Sequence, residues 1–296
     1  MKILVTGGTG FVGRTIVHAL RAEGHDVRAL VRKPGSNAVQ RLASWGCEAF
    51  QGDMTDAESL RRGVAGCEAV VHLVAIPTGS DEAFERIMSR GTRDLVEAAK
   101  NSGVARFVQM SALGTGERSK DLTAYFRAKW EQEETVKASG IGHVILRPSF
   151  VFGRDGGMLP LLIRQVRWSP VVAVIGTRKL QPIWVDDVAA YFAKALTTPD
   201  ATNRTFELGG PDVETWDGLY ERIKRVLGKR RPTFHPPLGV VRAGAWVAEK
   251  LPTGLPLSPD ALTMLEFEDN VTDIRPAVET FAVEPIGLNE QIRRAV

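Results

Sequence analysis

Cysteine is scarce in this chain of 296 residues: Cys47 and Cys67 are the only two, and neither belongs to a CxxC pair or stands near a histidine. Both fall at the starts of strand-like runs, so they read as small core residues in a reducing compartment. The five histidines (His18, His25, His72, His143 and His235) are scattered without ligand spacing, and no metal site is expected. No uninterrupted apolar run reaches the ~18 residues that a membrane-spanning helix needs, so the chain is not expected to be transmembrane. Lys2 to Thr6 already reads as a strand, which leaves no room for a basic and apolar presequence; the expected location is the cytoplasm. Charge of one sign is also lacking. Lys and Arg number 38 against 35 Asp and Glu, a formal charge of +3, so no nucleic-acid partner is expected. The single basic cluster is Lys224, Arg225, Lys229, Arg230 and Arg231 at the end of an expected helix. It reads as a solvated helix terminus or as a contact for membrane lipid or an acidic partner.

What is present is an alternation. Short Val- and Ile-rich runs at Lys2 to Thr6, Asp26 to Val31, Glu48 to Gly52, Ala69 to Val74, Arg106 to Ser111 and His143 to Arg147 are separated by amphipathic stretches near 11–23, 37–45, 56–64, 81–101 and 124–138. Buried strands alternating with helices predict an α/β fold: a doubly wound, mostly parallel sheet whose ligand crevice opens at the carboxyl ends of the strands. Several helices end at a glycine suited to a left-handed cap, namely Gly24, Gly46, Gly66, Gly103 and Gly140. Past Gly153 the rhythm becomes irregular and proline-rich. Residues 1–153 with about 181–196 are therefore expected to form the dinucleotide-binding domain, Pro182 to Leu196 returning a strand and a helix to the main sheet. Residues 154–180 and 197–296 are expected to form a smaller substrate- or partner-side region.

The most informative segment opens the chain. Lys2-Ile3-Leu4-Val5-Thr6-Gly7-Gly8-Thr9-Gly10-Phe11-Val12-Gly13 is a buried strand, three glycines spaced by two residues, and the start of a helix. Gly7 permits the tight turn, Gly10 lets backbone N–H groups approach a pyrophosphate, and Gly13 lets the helix pack closely. The helix start adds unpaired donors and the positive end of its dipole. The ribose-binding position about 20 residues on holds Arg32, followed by Lys33. A guanidinium there pairs with a 2'-phosphate or lies across the adenine; the former favours NADP(H) over NAD(H), which stays possible. Asp53, followed by Met54, is placed either to bond the adenine amino group or to cap a helix.

A second motif identifies a family. Tyr125-Phe126-Arg127-Ala128-Lys129 has the form YxxxK, and Ser111 closes the fifth strand fourteen positions before Tyr125. With the glycine turn, this makes residues 1 to about 195 resemble the extended and atypical short-chain dehydrogenases/reductases, including sugar-nucleotide epimerases. The likeness extends to the atypical group that contains the nucleotide-binding accessory subunit of respiratory complex I. It implies that Tyr125 exchanges a proton with a substrate oxygen, that Lys129 tunes it and holds the nicotinamide ribose, and that Ser111 orients the oxygen or bonds only the local backbone. Val74 and Ala75, at the end of the fourth strand, and Pro148, in Arg147-Pro148-Ser149-Phe150-Val151-Phe152-Gly153, become cofactor contacts. Elementary physics agrees for the pair, since positions i and i+4 share a helix face and a nearby cation lowers a phenol's pKa. Two positions depart from the family pattern: Ala112 stands where a catalytic serine often does, and Met88 where an asparagine is usual. The resemblance therefore implies two functions. One is an NADPH-dependent oxidoreductase or epimerase-like enzyme acting on a small molecule, and the other is a non-catalytic cofactor-binding structural, assembly or sensor protein.

In the C-terminal region, Pro237 to Leu251 is apolar except for a narrow stripe containing Arg242 and Glu249. A helix of this kind is expected to cover the substrate cleft or to meet a protein partner or membrane surface. Trp168, Trp184 and Trp216 read as core or as cleft lining.

Overall fold

A computed structural model describes residues 1–237, 239–243 and 259–296. The chain runs β1 (Lys2–Thr6), α1 (Phe11–Ala22), β2 (Asp26–Val31), α2 (Asn37–Ser44), β3 (Glu48–Gln51), α3 (Ala57–Val64) and β4 (Ala69–His72). It continues with α4 (Asp81–Phe84), a π-helical turn (Glu85–Arg90), α5 (Gly91–Asn101), β5 (Arg106–Met110), α6 (Ala124–Lys137) and β6 (Gly142–Pro148). There follow β7 (Val151–Gly153), β8 (Gly156–Gly157), α7 (Leu159–Trp168), β9 (Val172–Ala173), β10 (Ile183–Trp184), α8 (Val185–Thr197), β11 (Arg204–Leu208), α9 (Trp216–Leu227) and β12 (Thr233–Phe234). Three further helices span Pro259–Phe267, Arg275–Phe281 and Leu288–Ala295.

The chain divides into two compact units. The first comprises Met1–Pro148, Val185–Leu208 and Asp273–Glu284, and the second Ser149–Trp184, Gly209–Thr272 and Pro285–Val296. The first unit is a doubly wound α/β fold. Its seven-stranded sheet has the order β11-β6-β5-β4-β1-β2-β3, and every pairing is parallel. Covered on both faces, the central strands must be apolar throughout, and Ile3, Leu4, Val5, Val70 and Val71 are fully buried. Chain order reverses between β1 and β4, which makes their carboxyl ends the topological switch point. All five expected glycine caps lie in the left-handed region, with φ between 72° and 81°.

Three expectations are corrected. The strand at Pro182 does not return to the main sheet: β10 pairs with β7 in a three-stranded sheet of the second unit, and only α8 joins the first. The place beside β6 is taken by Arg204–Leu208, a strand expected within the C-terminal region. The helix expected over 81–101 is also interrupted, because Glu85–Arg90 winds as a π-turn. Such a turn departs from the regular ladder, and the Met88 carbonyl accepts both from the Gly91 N–H and from Thr92 Oγ1, the latter at 2.6 Å.

In the second unit, α7 and α9 lead into β9 and β12, which pair in parallel. Trp184 and Trp216 are core residues, whereas Trp168 is exposed. Most of the apolar stretch from Pro237 to Leu251 lies outside the described residues. Within its described part Val240 is exposed, and Arg242 pairs with Glu266 at 2.7 Å.

Candidate active site

The glycine turn sits at the switch point. Gly7 has φ +75°, and a Cβ there would lie 3.1 to 3.2 Å from the backbone of Leu73 and Val74, just past β4. The Gly10 N–H donates to the Gly7 carbonyl at 3.1 Å, closing the turn. Gly13 is the tightest: a Cβ there would stand 2.2 Å from the Gly7 oxygen and 2.9 Å from Gly8 Cα. Its smallness therefore lets α1 settle onto the turn itself. No side chain caps α1 at Gly10, so the first-turn N–H groups of Phe11, Val12 and Gly13, beside Gly8 and the exposed Thr9, remain available to a phosphate. A closely approachable, uncapped helix start fits a dinucleotide.

Arg32 and Lys33 follow β2. Both are exposed, and neither side chain makes an ion pair or hydrogen bond among the described residues. The Asp53 carboxylate accepts from Thr55 N (2.8 Å) and Thr55 Oγ1 (2.7 Å). The cap of α3 belongs to Asp56, which accepts from Glu58 N and Ser59 N. Asp53 thus shapes the loop after β3, with Met54 buried beside it. Past β4, Val74 is half-buried and Ala75 exposed.

Tyr125 and Lys129 lie one turn apart on α6, which Thr123 caps by accepting from Phe126 N. The Tyr125 ring packs edge-on to Phe84 and Phe126. Its hydroxyl makes no hydrogen bond among the described residues. Lys129 is fully buried, its Nζ 6.0 Å from the centre of the Tyr125 ring and 2.9 Å from the Met110 carbonyl, to which it donates. An ammonium has three donors, and this one bond leaves capacity for a ribose hydroxyl. Burial pulls the Lys129 pKa down to about 7, against the opposing pull of Glu133. Burial pushes Tyr125 up to about 12. This corrects the expectation that the lysine would lower the phenol: desolvation outweighs a cation held at that distance and bonded elsewhere. At neutral pH Tyr125 carries its proton.

Ser111 is buried, and its hydroxyl donates to Thr115 Oγ1 at 3.4 Å. Against the upward push of burial, the neighbouring Glu133 carboxylate is held low by its hydrogen bonds to and charge pairing with Arg147. Glu133 forms a buried bidentate pair with Arg147 (2.8 and 2.7 Å). That pair links α6 to β6, whose last residue, Pro148, accepts through its carbonyl from Leu113 N at 2.9 Å.

Sequence reasoning missed a buried polar network behind this face. The Thr92 hydroxyl donates to the Met88 carbonyl, so it accepts from His72 Nε2–H (2.9 Å) and from Gln132 Nε2 (2.8 Å). His72 Nδ1 then accepts from Thr6 Oγ1 at 2.6 Å. Together these bonds tie β1, β4, α5 and α6 to one another. A signal was present, since Tyr125, Lys129, Gln132 and Glu133 recur at helical spacing on one face.

His72 is fully buried and neutral, its pKa lowered to about 3 by burial and by Lys129. The unfolded chain, with an ordinary value of 6.5, binds the extra proton between these limits. Stability present above pH 6.5 is therefore lost as pH falls toward 3, at up to about 1.4 kcal/mol per pH unit. Urea midpoints measured across this range are expected to fall steeply for the native chain and more gently for His72→Gln. Equal slopes would assign the loss to carboxylates alone.

A parallel sheet with its switch point at a glycine turn, and a Tyr–Lys pair on α6 whose lysine reaches the end of β5, make this a Rossmann-type fold with a candidate nucleotide site. The chain belongs to the NAD(P)H-binding family, whose model matches residues 7–199. It is 31% identical over 248 residues to a ceramide reductase of Caulobacter vibrioides, a match covering 83% of this chain and 77% of that protein. It is 28% identical over 307 residues to the mitochondrial NADH dehydrogenase (ubiquinone) 1 alpha subcomplex subunit 9 of Mus musculus, covering 96% of this chain and 76% of that one. Among solved structures it is similar to the NADPH-dependent quinone oxidoreductase QOR2 of Escherichia coli complexed with NADPH, with a TM-score of 0.80, 20% identity and 98% of each chain covered. The last likeness is one of fold. Among the described residues no group of three or more His, Cys, Asp or Glu is placed to hold a metal ion, and no helix is long and apolar enough to cross a membrane.

Proposed function

We propose that the protein is an NADPH-dependent reductase in which Tyr125 is the proton donor. The observation that carries this is the Tyr125 hydroxyl: protonated at neutral pH, without a hydrogen-bond partner among the described residues, and one turn from a buried lysine that still has donors to offer. The glycine turn would hold NADPH, which would supply the hydride to the substrate carbon. The Tyr125 O–H bond breaks as its proton passes to the substrate oxygen, and Lys129, when charged, stabilises the phenolate until solvent reprotonates it. The Ser111 hydroxyl is turned to Thr115, so the proton transfer is assigned to Tyr125 and Lys129 without it. Wild type and Tyr125→Phe incubated with NADPH and a panel of carbonyl, quinone and sugar-nucleotide substrates test the reading. Turnover by the wild type alone supports it. Equal cofactor binding with no oxidation by either protein discards it.

The choice of NADP(H) rests on Arg32 and Lys33. A 2'-phosphate pairs with a guanidinium for about 1.5–3 kcal/mol. Arg32→Ala is therefore expected to weaken NADPH binding by about tenfold or more while leaving NADH binding unchanged, as titration of each nucleotide would show. Equal losses for both nucleotides would place Arg32 against the adenine.

A second reading, a cofactor-holding structural or assembly protein, is favoured by one observation. Lys129 is fully buried and already bonded to Met110, while Ala112 and Met88 occupy places where the enzymes carry polar groups. The cytoplasm is the proposed location for the enzyme, Cys47 and Cys67 being buried thiols of the kind a reducing compartment preserves.

A further inference from the structure

We propose that one end of the second unit docks on an anionic membrane surface. Helices α7 and α9 lie side by side, Tyr220 Oη donating to Gln165 Oε1 at 2.5 Å. Each runs into one strand of the parallel pair β9–β12, where Val172 N donates to the Pro232 carbonyl at 2.9 Å. Parallel strands fed by adjacent helices bring the two helix-to-strand turns, Ser169–Val171 and Gly228–Pro232, to the same end.

Two unusual features meet at that end. The first is apolar exposure: Trp168 is 76% exposed and Val171 42%. Seven residues before Trp168, Leu161 is 43% exposed, so the two share one face of α7. The second is charge. Residues 164–171 and 225–232 contain Arg164, Arg167, Arg225, Lys229, Arg230 and Arg231 and no Asp or Glu. None of the six makes an ion pair among the described residues, and the Arg231 Nε is buried without a partner. A solvated helix terminus explains basic residues but not a tryptophan so far out of the core. Tryptophan is favoured where one part of the ring meets hydrocarbon and another meets water, and unpaired Lys and Arg are drawn to anionic headgroups. Leu161 and Val171 offer nothing to a phosphate or a stacked base but gain on entering the acyl boundary. The occupant that satisfies both features is a bilayer bearing anionic phospholipid.

The test is flotation of the full chain with vesicles of phosphatidylcholine alone or mixed equally with phosphatidylglycerol, at low and high salt. Binding is expected only to the anionic vesicles, weakened by salt, with a blue shift in tryptophan emission that Trp168→Leu abolishes. Reversing two charges with Lys229→Glu and Arg230→Glu is expected to weaken binding by at least about tenfold. Because these side chains are exposed, each variant should keep the wild-type melting temperature and NADPH affinity, which checks that it is folded. No binding to anionic vesicles, or binding that survives both the Trp168 change and the charge reversals, would overturn the proposal. Tighter salt-sensitive binding to single-stranded RNA would overturn it too, marking the patch as a nucleic-acid surface.

Discussion

Tyr125→Phe is expected to lower kcat/KM for NADPH-dependent reduction by about 100- to 10,000-fold, the range for loss of a positioned proton donor. The Kd for NADPH should stay within about twofold, because the hydroxyl serves the reaction and not the ground-state complex. Since that hydroxyl makes no hydrogen bond among the described residues, its removal leaves no buried group unpaired, and stability should change by no more than about 0.5 kcal/mol. The pH profile provides a second check. Tyr125, at about 12, does not titrate in the working range. Lys129, at about 7, does, and its charge is what stabilises the phenolate. Reduction should therefore slow as pH rises through 7, and Lys129→Met should remove that break along with most of the rate. A break that persisted in Lys129→Met would belong to another group.

Gly13→Ala should abolish measurable cofactor binding and destabilise the chain. The added methyl would stand 2.2 Å from the Gly7 oxygen, with backbone atoms of Gly7 and Gly8 at 2.9 Å. None of these is the movable end of a side chain, so α1 must tilt away from the turn. Overpacking of this kind costs about 1–3 kcal/mol, sometimes more. The same tilt withdraws the helix N–H groups from the pyrophosphate. Thermal melts with and without NADPH separate the two effects: the apo midpoint falls, and the stabilisation added by ligand disappears. Gly10→Ala is the control for the apo midpoint, since a Cβ there meets only the Gly7 oxygen, at 3.4 Å. It should lower that midpoint less. Equal apo shifts at both positions would mean that close packing of α1 is not what Gly13 provides.

Much of the first unit was legible in residue order. Strands buried on both faces must be apolar runs, amphipathic helices must alternate with them, and left-handed caps favour glycine, so β1 to β6 and α1 to α6 emerge with small boundary shifts. The π-turn at Glu85–Arg90 did not, because periodicity over 81–101 is continuous and the wider winding is settled by partners from α5 and α6. Arg204–Leu208 joins the main sheet and not the C-terminal region for a similar reason. A strand's neighbour depends on which edge of the sheet is open, and β6 offered that edge after the local rhythm had become irregular.

The candidate site divides along the same line. By itself the sequence determined the glycine turn between β1 and α1, the place of Arg32 just past β2 and the spacing of Tyr125 and Lys129 on α6, because each depends on steric rules or helical spacing that act over a few residues. Tertiary structure alone decided the protonation states and the supporting cast. Desolvation is a property of everything packed around a group, so no local spacing could show that Tyr125 is held protonated, that Lys129 titrates near neutrality, or that His72, Thr92 and Gln132 from separate elements lock α6 in place.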